Sequence, residues 1–437
     1  MDNSISFCIA SAKNEKEYTK LLIRSLIENT KIENHEILVF IDSDNQNTYE
    51  DLLEIKQSLS NLKIYRNNTS MPIGSQRNVS LMFDAATKHI VCYLQSDMVV
   101  GKNFDKHILK NMINKDMVLT CSRIEPPLHP ASPEKIIKDF GVTPESFQYE
   151  KFQEFTLELQ KENKPNMEGH FAPFVVYKET WFEKLGGFDT HFRCSREDSD
   201  MIIRMGLAGL NMVQTWDASV YHFTCVSSRG KNWFKPESDR TVEQKNLLQQ
   251  IADHQELKKF IRKWGFFGHK AKPIFDLGIY IDIDQFVDFG LLQFLETYCK
   301  VLYLNNSLIA NELKRRVVFD TEYYANLRWN YSDEHWKSVR HLFNMTELDN
   351  HIEYLSDKIP QHDIIITIKY SDLAYGFGKE RAAFIQNIYD WIDKHNPGLY
   401  NVDVFQIEIK NKTNLAQQYT KIKNNDLLLN SKAFVFE

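Results

Sequence analysis

Two aspartates follow apolar runs that are typical of buried strands. Asp42 comes after EILVFI, and Asp97 follows IVCYLQ in the run YLQSDMVV. Because open α/β sheets bind ligands at the carboxyl ends of their strands, both positions are candidates for contact with a ligand. An aspartate after a strand is also a common start of a turn or a helix cap, and this alternative stays open for each residue.

A second group of acids follows a glycine turn, in the run GGFDTHFRCSREDSDMIIRMG. Glu197 and Asp198 stand just before a predicted helix. Neighbouring carboxylates repel one another, which raises the proton affinity of at least one and suits it to act as a base. The helix macrodipole also favours acids in a first turn, so the cluster alone leaves both roles open.

His222 stands at the end of another predicted strand, in ASVYHF. A lone histidine at such a position can be purely structural. Together with Asp97, however, it would supply an imidazole and a carboxylate, which suit a borderline divalent ion such as Mn²⁺.

The elements that must position these residues alternate between short apolar runs and segments of helical period. Strands are predicted at 5–11, 36–42, 62–67, 90–95, 211–216 and 219–223, and helices at 179–185 and 199–210. In the second helix, Asp200 and Arg204 can pair at i,i+4 spacing. This alternation is typical of βαβ units, and it predicts an α/β domain with a mostly parallel sheet flanked by helices. The proline-rich stretch 126–165 breaks the rhythm and predicts an insertion or lid.

The chain of 437 residues is long enough for two domains. After residue 231 the sequence pattern changes to charged and aromatic segments of helical period with a few predicted strands. We therefore expect a catalytic, ligand-binding domain at 1–255 and a mixed α/β domain at 256–437, the latter for acceptor binding or assembly.

Composition excludes some classes of function. The formal net charge of -6 provides no basic excess for binding a long nucleic acid backbone. The six cysteines are widely spread without a C-x-x-C pair, which indicates reduced thiols. Neither a signal peptide core nor an apolar run long enough to span a bilayer is found, so we expect a cytoplasmic protein.

The order of these motifs resembles the inverting family 2 glycosyltransferases, which have the glycosyltransferase A fold. The resemblance covers roughly residues 5 to 225. It rests on Lys13-Asn14-Glu15 after the first strand, Asp42, Gly74 with Arg77-Asn78, Asp97, GGFD at 186–189, EDSD at 197–200, and His222.

The resemblance implies a role for each matching residue. Asp42 would contact the base or ribose of a nucleotide-sugar, most simply a UDP-sugar, and Arg77 would lie near the base or diphosphate. Asp97 and His222 would hold Mn²⁺ or Mg²⁺ between the two phosphates. Asp198 would be the general base that removes the proton of the acceptor hydroxyl, with Glu197 as the alternative.

Two positions depart from the family pattern. The first acid of the usual Asp-x-Asp triplet is replaced, giving Gln95-Ser96-Asp97. Gln95 can hydrogen-bond a sugar or ribose but adds no charge to a metal site. Ser43 stands where many relatives carry another acid, and Asp44 can compensate through the geometry of the turn. We count Asp44, Gln95 and Ser96 among the expected donor contacts.

Other functions remain open at this stage. A nucleotidyltransferase or sugar-nucleotide hydrolase would also bind a nucleoside diphosphate with a metal, although the acid cluster has no obvious use in that chemistry. A non-catalytic sugar-nucleotide-binding module would keep the fold without turnover. The acceptor, whether a glycan, a lipid-linked sugar, a protein or a modified nucleobase, is left open, as is a homo-oligomer.

Overall fold

The structure is a computed structural model. It describes residues 4–12, 14–42, 44, 46–67, 75–128, 130–169, 173–189, 192, 196–224, 256–268, 270–316, 351–355, 361–422 and 434–436, without the side chains of 75–77 and 434–436. The chain forms two compact units, Met1–Arg240 with Lys421–Glu437, and Thr241–Thr420. The boundary expected between residues 255 and 256 adjoins residues 225–255, which the structure does not describe. The sequence did not predict that Lys421–Glu437 belongs to the first unit.

The first unit begins with four parallel strands. They are β1 (Ile5–Ser11), β2 (Glu36–Ile41), β3 (Leu62–Asn67) and β4 (Ile90–Gln95), connected through α1 (Lys16–Asn29), α2 (Thr48–Ser58) and α3 (Ser75–Ala85). Each strand matches its predicted range to within one residue. They lie in the order β3, β2, β1, β4, so the carboxyl ends of all four meet at one edge of the sheet.

The rest of the first unit extends this sheet. Its elements are β5 (Met98–Val100), α4 (Phe104–Asn111), β6 (Met117–Glu125), β7 (Lys135–Ile137), α5 (Tyr149–Lys161), β8 (Met167–Glu168), β9 (Phe174–Tyr177), α6 (Lys178–Thr180), α7 (Glu197–Leu207) and β10 (Asn211–His222). The strand order continues from β4 through β9, β6 and β10 to β5. Because β9 runs antiparallel to both β4 and β6, the sheet is mixed.

Apolar side chains of β1 alternate between the two faces of the sheet. Phe7 and Ile9 join a core under α1, α2 and α4, whereas Cys8 joins a core under α3 and α7. This is the period of two expected for a strand that is buried on both faces. The predicted architecture of a sheet flanked by helices is confirmed.

β10 is one strand where two were predicted. Its partner positions on β6 jump from Thr215 opposite Cys121 to Ser219 opposite Ser122, which marks a bulge between Thr215 and Ser219. The bulge explains why the apolar pattern breaks at this point in the sequence. Beyond it, β10 continues to His222.

The segment expected to be an insertion or lid belongs to the core of the first unit. β7 pairs with β6, and α5 packs against the sheet beside β10. The buried side chains of this cluster are Val99, Ile124, Phe140, Tyr149, Phe152, Leu159, Tyr221 and Phe223. Its aromatic residues fill a sheet face, because they pack edge to face around Tyr221.

A glycine pair ends the predicted helix near residue 185. α6 continues as a π-helical turn, Trp181–Leu185, and Gly186 follows with φ +71°. A Cβ atom on Gly186 would lie 2.2 Å from the carbonyl oxygen of Ile422, so only glycine fits here. The strand Phe434–Phe436 pairs antiparallel with β3, which joins these residues to the first unit.

The second unit contains a separate six-stranded sheet. Its strands are β11 (Leu277–Asp282), β12 (Val301–Leu304), β13 (Ile352–Tyr354), β14 (Ile364–Lys369), β15 (Gly398–Val402) and β16 (Phe405–Ile409), in the order β13, β12, β11, β14, β16, β15. Described helices are Phe289–Thr297, Tyr370–Ala374, Lys379–Gln386 and Ile388–Asp393. This agrees with the mixed α/β unit expected from the sequence.

The described cysteines and helices bear on two further expectations. Cys8, Cys92, Cys121 and Cys299, the cysteines that the structure describes, are buried free thiols. Within the described ranges, none of the helices has both the length and the apolar character needed to cross a membrane.

Candidate active site

Asp97 lies in the turn between β4 and β5, at the edge where the parallel strands end. It is only 5% exposed. Its carbonyl oxygen accepts a hydrogen bond from the amide of Phe223 at 3.0 Å, which ties the turn to the end of β10. The turn that carries the carboxylate is therefore fixed to the end of β10.

His222 ends β10 directly beside this turn. β10 and β5 are antiparallel, and His222 stands opposite Met98, the residue after Asp97. This register places Nε2 of His222 3.6 Å from Oδ1 of Asp97. The two residues that the sequence predicted as metal ligands are thus brought together.

Glu125 completes the surroundings of His222, and it was not predicted from the sequence. Its Oε1 lies 3.0 Å from Nδ1 of His222, and its Oε2 accepts from Nζ of Lys135 at 2.8 Å. Burial alone would raise the pKa of Glu125, but His222, Arg123 and Lys135 lower it to about 2. Glu125 is a strand-end acid like Asp42 and Asp97, so the same rule would have found it had β6 been predicted.

Glu15 connects the first loop to the Asp97 turn. Its Oε2 accepts hydrogen bonds from the amide of Ala12 and from Oγ of Ser96, both at 2.7 Å. Ser96 was expected to contact the donor, and here its hydroxyl holds the turn in place. Its contact with a ligand stays a prediction, as does that of Gln95, whose amide hydrogen-bonds the buried Tyr93 hydroxyl.

Asp42 and Asp44 follow β2 and differ in their contacts. Asp42 is buried, and its Oδ1 accepts from Nδ2 of Asn67 at 2.9 Å, which joins the ends of β2 and β3. Asp44 accepts from the amides of Gln46 and Tyr49 at 2.9 and 3.0 Å, in front of α2. Burial raises the pKa of Asp44, but these hydrogen bonds outweigh that effect and lower it. Both residues stay predicted donor contacts.

The acid cluster separates into exposed and buried members. Asp200 is fully buried and pairs with Nε of Arg204 at 2.7 Å, which confirms the predicted i,i+4 pair. Arg204 also donates to the carbonyl oxygens of Leu185 and Gly187 at 2.9 and 2.8 Å. These bonds attach α7 to the glycine turn. Asp200 is therefore a structural residue.

Asp198 is exposed in the first turn of α7, whereas Glu197 is half-buried. Oδ1 of Asp198 accepts a hydrogen bond from the amide of Ser199 at 2.6 Å, so the backbone holds this oxygen in place. α7 begins at Glu197, two residues earlier than predicted. The position at a helix N-terminus also agrees with the structural alternative, since acids are favoured there.

Electrostatic effects link the acid cluster to the Asp97 turn. Burial raises the pKa of the Tyr93 hydroxyl, and the charges of Glu197 and Asp97 raise it further. Burial likewise lowers the pKa of Arg123, while the charges of Glu125 and Asp198 act against this. Tyr93 is thus affected by acids from both the Asp97 turn and α7, and Arg123 by acids from both β6 and α7, so these acids lie near one edge of the sheet.

Three sequence-predicted features cannot be placed. The side chain of Arg77, the residue Gly74, and Lys13 lie outside the described residues. Ser43 also lies outside them. The role of Arg77 near the base or diphosphate stays a prediction.

Residues 7–186 match the family model for glycosyl transferase family 2. This segment is a family 2 glycosyltransferase domain. The resemblance noted in the sequence and the expected α/β fold of the glycosyltransferase A type are confirmed for this part of the chain, and so is the enzyme class. No curated protein sequence matches the chain.

Solved structures with limited similarity to the chain include GalNAc-T7 with UDP, GalNAc and Mn²⁺, at 16% identity and a TM-score of 0.40, with 59% of this chain and 48% of that chain covered. S. aureus TarS has 13% identity, a TM-score of 0.37, and 59% and 43% coverage. TarS 1–349 in complex with UDP has 12% identity, a TM-score of 0.40, and 94% and 98% coverage. The chain thus spans about half the length of the first two.

The ligand atoms of Asp97 and His222, both in the first unit, fit a divalent ion in part. Two ligand atoms that each lie about 2.1 Å from one ion can be up to about 4.2 Å apart, and the 3.6 Å between Asp97 and His222 is within this limit. No group of three or more His, Cys, Asp or Glu residues suited to a metal occurs in the described ranges. Among the described residues the site thus offers two ligands, and a substrate would supply others.

Proposed function

We propose that the first unit, which contains the family 2 segment, transfers a sugar from a nucleoside-diphosphate sugar, preferably a UDP-sugar, to an acceptor hydroxyl with inversion at the anomeric carbon. Mn²⁺ or Mg²⁺ would assist the reaction. The observation that carries the proposal is the pair of Asp97 Oδ1 and His222 Nε2, 3.6 Å apart at the carboxyl edge of the sheet. The open coordination positions at such a pair suit two phosphate oxygens.

Asp97 and His222 would hold the ion, whose charge offsets the negative charge that develops on the departing diphosphate. The rest of the site keeps these two side chains in place before substrate binds. Glu15 holds the turn through Ser96, and the Phe223 amide holds the carbonyl of Asp97. Such preorganisation lowers the reorganisation needed during the reaction.

Asp198 is our candidate for the general base. Its Oδ1 is engaged with Ser199, so we assign Oδ2 the removal of the proton from the acceptor hydroxyl. The exposure of Asp198 supports this role, because an acceptor must reach the base from solvent. Direct attack by the acceptor oxygen from the face opposite the leaving group would invert the anomeric carbon. Glu197 is the alternative base.

The donor would bind along the ends of β2 and β4. Asp42, held by Asn67, would accept hydrogen bonds from the ribose or base. Asp44, Gln95 and Arg77 are further proposed contacts. Since Gln95 replaces an acid, the ion would depend more strongly on His222 than in a site with two aspartates.

The proposal also covers the role of the second unit and the cellular location of the enzyme. We assign acceptor binding or assembly to the second unit, and we place the reaction in the cytoplasm. The acceptor remains one of the four classes named above, and a homo-oligomer remains compatible with the fold.

The test is transfer from a panel of nucleotide-sugars in the presence of Mn²⁺. Release of the nucleoside diphosphate identifies the donor, and NMR of the product shows the configuration of the new glycosidic bond. We expect release with one UDP-sugar and an inverted product. Retained configuration would contradict the inverting mechanism, and absence of turnover with every donor would contradict the proposed activity.

A further inference from the structure

Glu125 has no part in the proposed reaction, although it is buried beside one of its central residues. It is 2% exposed and ends β6. Its Oε1 lies 3.0 Å from Nδ1 of His222, while Nζ of Lys135 donates to its Oε2 at 2.8 Å. A guanidinium nitrogen of Arg123 lies 3.5 Å from Oε1. The carboxylate is thus compensated by two cations and aimed at one imidazole.

The backbone fixes this arrangement. β6 and β10 are parallel neighbours, with Ile124 opposite Tyr221, so Glu125 and His222 lie at the same level of the sheet. β7 pairs with β6 on its other side and places Lys135 opposite Arg123. A buried ion pair of Glu125 with Lys135 would not need a contact with His222. The contact with the ring therefore calls for its own explanation.

An ionised carboxylate can only accept a hydrogen bond, so the proton in this contact belongs to Nδ1 of His222. The imidazole must be neutral to bind a metal ion, and in that form it carries one N–H, so its Nε2 presents a lone pair to Oδ1 of Asp97, 3.6 Å away. Two acceptors that face each other at this distance repel unless a cation lies between them. The contact with Glu125 thus prepares the opposite side of the ring for a cation.

We propose that Glu125 is a positioning residue that holds His222 in the tautomer and ring orientation needed to bind a divalent ion together with Asp97. This inference rests on the metal site of the proposed function and goes beyond it, because Glu125 itself touches neither the ion nor the substrate. A carboxylate on the far nitrogen fixes the orientation of a histidine ligand and increases its basicity.

The first test is the tautomer of His222 in the metal-free protein, read from the ¹⁵N shifts of the imidazole. We expect the Nδ1–H form in the wild type. Glu125→Met keeps the volume of the side chain but removes the acceptor, so we expect the Nε2–H form to gain population. The same tautomer in both proteins would overturn the role of Glu125.

The second test is the affinity for Mn²⁺ in the presence of UDP, from the electron paramagnetic resonance signal of free Mn²⁺. We expect about tenfold weaker binding in Glu125→Gln and a loss approaching about 100-fold in Glu125→Met. The matched control is Glu179→Gln, because Oε1 of Glu179 also contacts a histidine, His89, at 2.5 Å in an exposed pair. We expect unchanged Mn²⁺ affinity in this control.

The outcomes separate the inference from the function on which it rests. A wild-type protein that binds no Mn²⁺ would overturn the metal site itself. Normal affinity in both Glu125 variants, beside a wild type that binds, would overturn only the role of Glu125. Should Glu125→Met fail to fold, Glu125→Gln serves for both measurements, since its amide can also donate to Nδ1 and no longer enforces one tautomer.

Discussion

Nε2 of His222, at the end of β10, lies 3.6 Å from Oδ1 of Asp97, in the turn between β4 and β5. The antiparallel pairing of β5 with the end of β10 creates this proximity. Asp97 is buried and His222 is half-buried at the edge of the sheet where the four parallel strands end, and Asp198 is exposed in the first turn of α7. The proposed chemistry depends on this arrangement, and it leads to the following predictions.

Removal of either member of the pair should abolish metal-dependent turnover. We expect His222→Ala and Asp97→Asn each to lower kcat/KM by at least about 100-fold, because a Lewis acid supplies several kcal/mol of charge stabilisation. Steady-state release of the nucleoside diphosphate at varied Mn²⁺ measures the effect. His89→Ala, which removes an exposed histidine, is the control, and it should retain wild-type kinetics. Wild-type turnover in His222→Ala would exclude this residue as a ligand.

Loss of the base should affect the rate and leave donor binding unchanged. We expect Asp198→Asn to lower kcat by about 10²–10⁴-fold, the usual contribution of general base catalysis, with little change in the Kd of the donor. Glu197→Gln should have the smaller effect. Kinetics together with calorimetry of donor binding measure both quantities.

The matched control for Asp198→Asn is Asp116→Asn, because Asp116 is an exposed acid that pairs only with Lys184 among its described contacts to charged side chains. If Glu197→Gln lowers kcat more than Asp198→Asn does, Glu197 is the general base and Asp198 is not. Equal kcat values in Asp198→Asn and the wild type would remove Asp198 from the mechanism.

The buried pair of Asp200 and Arg204 should govern stability. We expect Asp200→Asn to lower the free energy of unfolding by about 3–5 kcal/mol, because it leaves a buried guanidinium without its counter-charge. Urea denaturation measures the change. Asp116→Asn removes one partner of an exposed pair and should cost no more than about 1 kcal/mol. Equal costs would show that burial of the first pair has no energetic weight.

Acid should weaken the fold partly through Glu36. Burial raises the pKa of this carboxyl, but hydrogen bonds from Lys63, Ser6 and Thr87 outweigh it and lower the pKa. A lowered pKa means that the unfolded chain binds the proton more readily. The resulting stability is present above the unfolded pKa and is lost as the pH falls through the folded value.

The variant Glu36→Gln tests this contribution. It should be less stable than the wild type by about 1–3 kcal/mol at neutral pH, because hydrogen bonds to a charged group are lost. The difference should shrink as the pH is lowered below the ordinary range of a glutamate. Urea denaturation at several pH values gives the comparison. A difference that stays constant or grows in acid would contradict the stated pKa direction.

The sequence predicted β1 to β4 and the Asp200–Arg204 pair because these depend on local patterns. Each strand is an apolar run with polar ends, and i,i+4 spacing places two side chains on one helix face. β6 was not predicted, because Thr120, Ser122 and Arg123 interrupt its apolar pattern. Glu125 was missed with it.

Long-range pairing was also beyond local patterns. The antiparallel insertion of β9 between β4 and β6 makes the sheet mixed. The strand Phe434–Phe436 pairs with β3, although the whole second unit lies between them in sequence. Such pairings depend on which edges remain unpaired after the local elements form. The contact between Glu125 and His222 has the same origin, because β6 and β10 are distant in sequence but adjacent in the sheet.

The most direct test of the central claim is the position of the ion. Crystals grown with UDP and Mn²⁺ would locate the metal by its anomalous scattering. The proposed site predicts one peak at roughly 2.2 Å from both Oδ1 of Asp97 and Nε2 of His222, in contact with the diphosphate. A bound nucleotide with no peak at this pair, or a peak held by other residues, would contradict it.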